Sequence, residues 1–287
     1  MTDSFTAGAA FIQRQGRLVD QRLFATLFEG APPGGVADAL RGYQNADGGF
    51  GHGLEPDKRC PASLPIDVEI AFQTMAAAGA ADADMLGRAC DFLTGVTVDG
   101  AVSLASPVIE GYPRADHWTD WTYQPGLNPT AGLAGLLHQM GFDHPWRETA
   151  TEYCWRALTE QPFPDEVHAL AEALTFLEFA PDRERADQVA PALIKHTTAQ
   201  EMFHLDPGAE GYGLSPLYIA PLADSRWRSL FTAAQIDGHL DRLAADQQPD
   251  GGWPIAWTPP SEASLLEWRG IVTLKALRTL TSYGRLG

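Results

Sequence analysis

Four groups of side chains in this sequence have types and spacings that suit chemistry. The first is Glu55-Pro56-Asp57, two carboxylates on a stiff backbone. Such a pair suits general acid/base work when burial separates the two proton affinities. Lys58 and Arg59 follow directly, so local salt bridging is the competing reading. His52 stands between Gly51 and Gly53, where backbone can approach a ligand closely or simply turn. The second group is Asp67-Val68-Glu69, at the opening of a helical run. Residues two apart on a helix point about 200° apart, so these two acids cannot face one substrate. Acids in a first turn also favour the helix dipole without any catalytic use.

The third group is His117-Trp118-Thr119-Asp120-Trp121, with Tyr123 close behind. His117 and Asp120 suit a base and its orienter. Trp118, Trp121 and Tyr123 offer faces that would stabilise a carbocation or stack on a sugar ring. A loop anchored by its own aromatics fits the same residues. The fourth group is Trp257, then Glu262, Glu267, Trp268 and Arg269 in the last helical run. Glu262 and Arg269 lie about two turns apart and share a face, as a surface ion pair would. Glu267 and Trp268 are the members that would reach a cavity and touch substrate. Asp57 and Cys60 have a plausible local spacing for a metal, with His52 or a distant His to complete the set, but no CxxC or HExxH is present. A lone cysteine is ordinarily a small buried apolar residue. We expect no metal and no cofactor. Phosphate-loop, dinucleotide and Gly-x-Ser-x-Gly signatures are absent.

These groups must be positioned by helices. Gln44-Asn45-Ala46-Asp47-Gly48-Gly49-Phe50-Gly51 returns near the C-terminus as Gln248-Pro249-Asp250-Gly251-Gly252-Trp253. Each copy follows an apolar helical run and precedes another. In the motif, Gln has an amide to donate at a helix C-terminus, where carbonyls need donors. Gly-Gly permits a reversal, Asp accepts from turn amides, and Phe50 or Trp253 fills the gap between helices. The motif resembles the QW-type repeat of the terpenoid cyclases and protein prenyltransferases. That resemblance implies an all-α fold, an α/α toroid of roughly five to six helical hairpins. It implies little about activity, because there the motif is a structural clamp.

The same resemblance bears on Asp67-Val68-Glu69-Ile70. Class II terpene cyclases carry Asp-x-Asp-Asp at the start of an inner helix, and its central Asp protonates an alkene. Here Glu69 stands at the central position and Ile70 replaces the last Asp. The Asp-rich runs that bind diphosphate through magnesium in class I enzymes are missing.

Helical periodicity divides the chain into runs near 5–29, 35–43, 66–78, 82–93, 128–140, 145–160, 164–178, 183–196, 231–245 and 261–283. Two long irregular stretches, about 99–127 and 201–229, are rich in aromatics, which argues against disorder. We expect one domain over 1–287. The chain holds 20 Lys and Arg against 37 Asp and Glu, a net charge of −17, so nucleic acid is not an expected partner. No apolar run is long enough to span a bilayer. Met1-Thr2-Asp3-Ser4-Phe5 lacks the basic and apolar regions of a signal peptide, and Cys60, Cys90 and Cys154 are scattered. Both fit a cytoplasmic protein with unpaired thiols. The function that the resemblance implies is that of a terpenoid cyclase-like enzyme using acid/base catalysis in an aromatic-lined central cavity, cyclising or isomerising an apolar isoprenoid-like small molecule. Glu55, Asp57 and Glu69 are its acids, with His117 or Asp120 as base. A carbohydrate-active α/α barrel with paired carboxylates, or a non-catalytic ligand-binding toroid, are the alternatives.

Overall fold

The structure is a computed structural model that describes residues 3–286. Met1 and Thr2, part of the stretch read above for a signal peptide, lie outside it. The described residues are helical, with isolated β-bridges and no strands. Contacts divide the chain into two compact units, Met1–Pro32 with Thr198–Gly287, and Pro33–Thr197.

The first unit contains α1 (Asp3–Gln15), α2 (Leu18–Phe28) and, after the seven helices of the other unit, the elements α10 (Pro216–Ile219), α11 (Ala233–Ala245) and α12 (Glu262–Ser282). One helix was expected over 5–29, and the structure has two. The chain breaks at Gly16-Arg17, where Arg17 is extended and its backbone N–H donates to Asp20 Oδ2 at 3.1 Å. Asp20 thereby satisfies an amide at the new helix start. An apolar stripe that continues across the break hides it from periodicity. The core of this unit is Phe11, Ile12, Phe24, Ile236, Leu240, Leu277 and Leu280, all nearly or fully buried.

The second unit contains α3 (Gly34–Leu40), α4 (Pro65–Ala78), α5 (Ala83–Val96), α6 (Leu127–Gln139), α7 (Pro145–Thr159), α8 (Val167–Phe179) and α9 (Arg183–Thr197). Helices α4, α6 and α8 are buried around most of their circumference, and α4 packs on α6 as α6 packs on α8. Their neighbours α5, α7 and α9 each bury one stripe, such as Met85, Leu86, Ala89, Cys90 and Leu93 of α5. That division follows the sequence pattern, since a helix apolar all round must be covered on all sides. Small residues set the α6–α8 spacing. A β-carbon on Gly135 would stand 2.8 Å from Thr175 O and 2.9 Å from Phe176 Cα.

The two Gly-Gly motifs have one geometry. Gly48 and Gly251 adopt φ of 91° and 93°, and Gly49 N and Gly252 N donate to Asp47 and Asp250 Oδ1 at 3.0 and 3.1 Å. Phe50 and Trp253 are buried, as expected of plugs. The glutamines act differently from the sequence reading. Gln44 Nε2 donates to Gly48 O and to Met85 O, both at 2.9 Å, so it ties the turn to the first turn of α5. Its counterpart is Gln247, which donates to Gly251 O at 2.9 Å and Ser4 O at 2.8 Å. Gln248, the residue matched by sequence, occupies the position of Asn45. Its backbone N–H donates to Gly252 O at 2.9 Å, as that of Asn45 donates to Gly49 O at 2.8 Å.

Candidate active site

The loop 51–64 leaves the first motif and ends at Pro65, the first residue of α4. It is tied at both ends of its acidic stretch. Glu55 N donates to Asp67 Oδ1 at 2.7 Å, which fixes the loop to the first turn of α4. Arg59 N donates to Pro113 O at 2.9 Å and Ala115 N to Asp57 O at 2.8 Å. Those bonds lay residues 113–115 beside the loop and bring His117 to Asp57.

Here the structure gathers buried charge. Glu55, Asp57, Lys58, Asp67 and Glu69 are each at most 5% exposed. Lys58 Nζ pairs with Glu55 Oε2, and Asp57 N donates to the same oxygen at 3.1 Å. The local salt bridge offered as the competing reading for Glu55 is thus present. Lys58 is also held 4.6 Å from the centroid of the Trp118 ring, a cation–π contact in a dry setting. His117 Nε2 lies 3.6 Å from Asp57 Oδ2, too long for a direct hydrogen bond. Desolvation lowers the His117 ring below the ordinary imidazole value, against the pull of the Glu55 carboxylate.

Glu69 points elsewhere, as the helical period requires. It turns to α6, where it meets Glu172 of α8, a residue the sequence reading did not single out. A β-carbon on Gly132 would fall under 3.0 Å from both Glu69 Oε1 and Glu172 Oε2. The three residues stand in the second turns of α4, α6 and α8, and the absent side chain makes the room. Both carboxylates are buried, at 5% and 6% exposed. The amino ends of these helices lie nearby, and their partial positive charge offsets some of the cost of gathering acids. Glu172 sits in the apolar run Val167–Phe179, which holds only one other acid, Glu178, and an acid among apolar residues was the available signal.

A further pair stands at the start of α8. Glu166 caps the helix, accepting from His168 N at 2.9 Å and Ala169 N at 2.7 Å, and its Oε1 lies 2.6 Å from His168 Nδ1. Burial works to raise the Glu166 carboxyl. The His168 ring and those two amides outweigh it and hold the group below the usual carboxylate range.

The other candidates fall in different places. Trp118 is buried in an apolar cluster with Cys60, Leu64, Leu104, Ala105, Ile109 and Ala115, against which Trp121 and Tyr123 pack. That is the loop anchored by its own aromatics. Asp120 is exposed, with φ of 56°. His52 Nε2 bonds Asn45 Oδ1 at 2.9 Å and so braces the first motif. Burial pushes the Cys60 thiol up, away from the thiolate form a metal requires. Among the described residues no three His, Cys, Asp or Glu side chains are arranged to hold a metal ion. Trp257, Glu267 and Trp268 belong to the other unit. There Trp257 stands edge-on to Tyr212 and to Trp268, with centroids 5.7 and 5.1 Å apart. A groove of ≈ 410 Å³ in that unit runs along the second motif past Asp250, Pro254, Ile255 and Arg269. Among the described residues no helix is long and apolar enough to cross a membrane.

No family model matches the chain, and no curated protein is significantly similar to it.

Proposed function

We propose that this protein is an acid/base enzyme of terpenoid cyclase-like type, with its proton donor in the Glu69–Glu172 pair. The observation that supports the reading is the meeting of these buried carboxylates over Gly132. Two carboxylates this close do not both ionise readily, so the pair keeps a proton and one member is a neutral acid at neutral pH. The proton belongs to the pair rather than to either residue. Its chemistry is delivery of that proton to a carbon–carbon double bond of an apolar, isoprenoid-like substrate. The donor becomes a carboxylate and the substrate a carbocation. Loss of a neighbouring C–H proton to a base completes a cyclisation or isomerisation with no net change in protons. His117 is suited to that last step, because desolvation favours its neutral form. The acids lie inside the protein rather than on its surface, which supports catalysis over a solely structural use. The α/α toroid implied by the Gly-Gly motifs is part of this proposal.

The test is turnover of squalene and of geranylgeranyl diphosphate in deuterated water, with products analysed by mass spectrometry. The expected product carries deuterium on carbon, and Glu69→Gln and Glu172→Gln each abolish it. Product without deuterium, or full activity in either variant, overturns the proposal. Thermal stabilisation by oligosaccharides alone would instead favour the carbohydrate-active reading.

A further inference from the structure

A buried acid that gives up its proton must be recharged before the next turnover. Glu69 and Glu172 are 5% and 6% exposed, so bulk water is a poor direct source. Residue 168 precedes Glu172 by four positions in α8. Side chains so spaced lie on one face of a helix, one turn apart. His168 is therefore placed above Glu172, toward the helix start. Its side chain is 30% exposed, so it has access to water that the pair lacks.

Its ring is also oriented. Nδ1 is held 2.6 Å from Glu166 Oε1, and Glu166 is itself fixed by His168 N, by Ala169 N and by Asn128 Nδ2 at 3.4 Å. A carboxylate on Nδ1 sets the tautomer and makes Nε2 the atom that exchanges protons. The Glu166–His168 couple thus has the form of a base and its orienter, in better geometry than His117 with Asp57. Other charged groups bear on it. Glu172 lies one turn along α8, and His117 on the adjoining loop is close enough that the two ring charges oppose each other.

We infer that His168, oriented by Glu166, is the group that returns a proton from solvent to the Glu69–Glu172 pair, an assignment that rests on the acid/base reading above. In the step, the Nε2–H bond of the imidazolium breaks and an O–H bond forms on the pair. The neutral ring then takes a proton from water. No oxidant, reductant or further reactant is needed.

The test is independent of substrate. A pH jump on the full chain is followed by infrared spectroscopy at the C=O band of a protonated buried carboxyl, assigned by its loss in Glu172→Gln. In His168→Gln the band is expected to recover about a hundredfold more slowly, the scale of one positioned acid/base group. Glu166→Gln, which keeps an oxygen for the cap but not the charge, is expected to slow it as well. If His168→Gln does not fold, Glu166→Gln decides. External imidazole is expected to speed recovery in His168→Gln, which a merely structural role would not allow. Unchanged recovery in the folded variant overturns the assignment to His168 and leaves the pair as donor. Absence of the band in the unmodified protein overturns the acid/base reading and this inference with it.

Discussion

Glu69 and Glu172 approach one another over Gly132, the residue between them that has no side chain. A β-carbon there would fall under 3.0 Å from an oxygen of each. The two acids come from α4 and α8, helices whose contact with α6 is what brings them together. Gathering like charge in a dry place is costly, so such a cluster is a candidate site on physical grounds alone.

The glycine is the simplest part to test. Gly132→Ala forces both carboxylates aside in a packed interior, and overpacking of this kind costs about 1–3 kcal/mol. Urea denaturation is expected to show that loss. The protonated-carboxyl infrared band is expected to shift or vanish, because the pair no longer shares its proton. An Ala variant with unchanged stability and band would mean that the carboxylates have room elsewhere.

Lys58 is the one fully buried cation of the cluster, at 1% exposed, and Glu55 is its partner. Lys58→Met leaves Glu55 buried without that charge and is expected to cost about 3–5 kcal/mol. Replacing both, as Lys58→Met with Glu55→Leu, is expected to recover most of the loss. A double-mutant cycle in urea measures the coupling. Equal losses in the single and double variants would show that the pair itself matters little.

Desolvation lowers the His138 ring from 6.5 to about 4, with Arg147 adding to the effect. Its Nε2 lies 2.8 Å from Thr151 Oγ1. The unfolded chain takes up a proton near 6.5 while the folded chain does so only near 4, so stability falls as pH drops through that window. Below it the contribution is flat. Denaturation midpoints measured across the window are expected to decline less in His138→Gln than in the unmodified chain. An identical slope in both would remove His138 as a source.

Trp253 closes the second motif, buried, with Nε1 donating to Leu243 O at 2.6 Å. Trp253→Ala is expected to cost about 3–5 kcal/mol through the cavity it leaves. Trp253→Phe keeps much of the volume and loses the bond, at a cost of about 1 kcal/mol. Thermal unfolding separates the two. Comparable losses would mean that the hydrogen bond outweighs the packing.

Much of the secondary structure was legible in the sequence. Apolar period placed α4 to α9, α11 and α12 nearly where they stand, and Gly-Gly with Asp announced both turns. These features are local: a helix stripe and a positive φ are decided within a few residues of chain. The break at Gly16-Arg17 escaped because the stripe runs through it, and the bond from Arg17 N to Asp20 is what separates α1 from α2. The register of the second motif also escaped. The role of Gln247 depends on Ser4, which is 243 positions away.

The site divides in the same way. The sequence by itself pointed to Glu55, Asp57, Asp67, Glu69 and His117, because acids beside Pro or in a first helical turn are visible as spacing. It could not show that Trp118 is buried beneath Lys58, or that Trp257 and Trp268 belong to a different unit. Least of all could it join Glu69 to Glu172, residues on helices separated by three others in the chain. Only the close packing of α4 and α8 against a glycine on α6 decides that, since a contact between distant segments leaves no trace in either one.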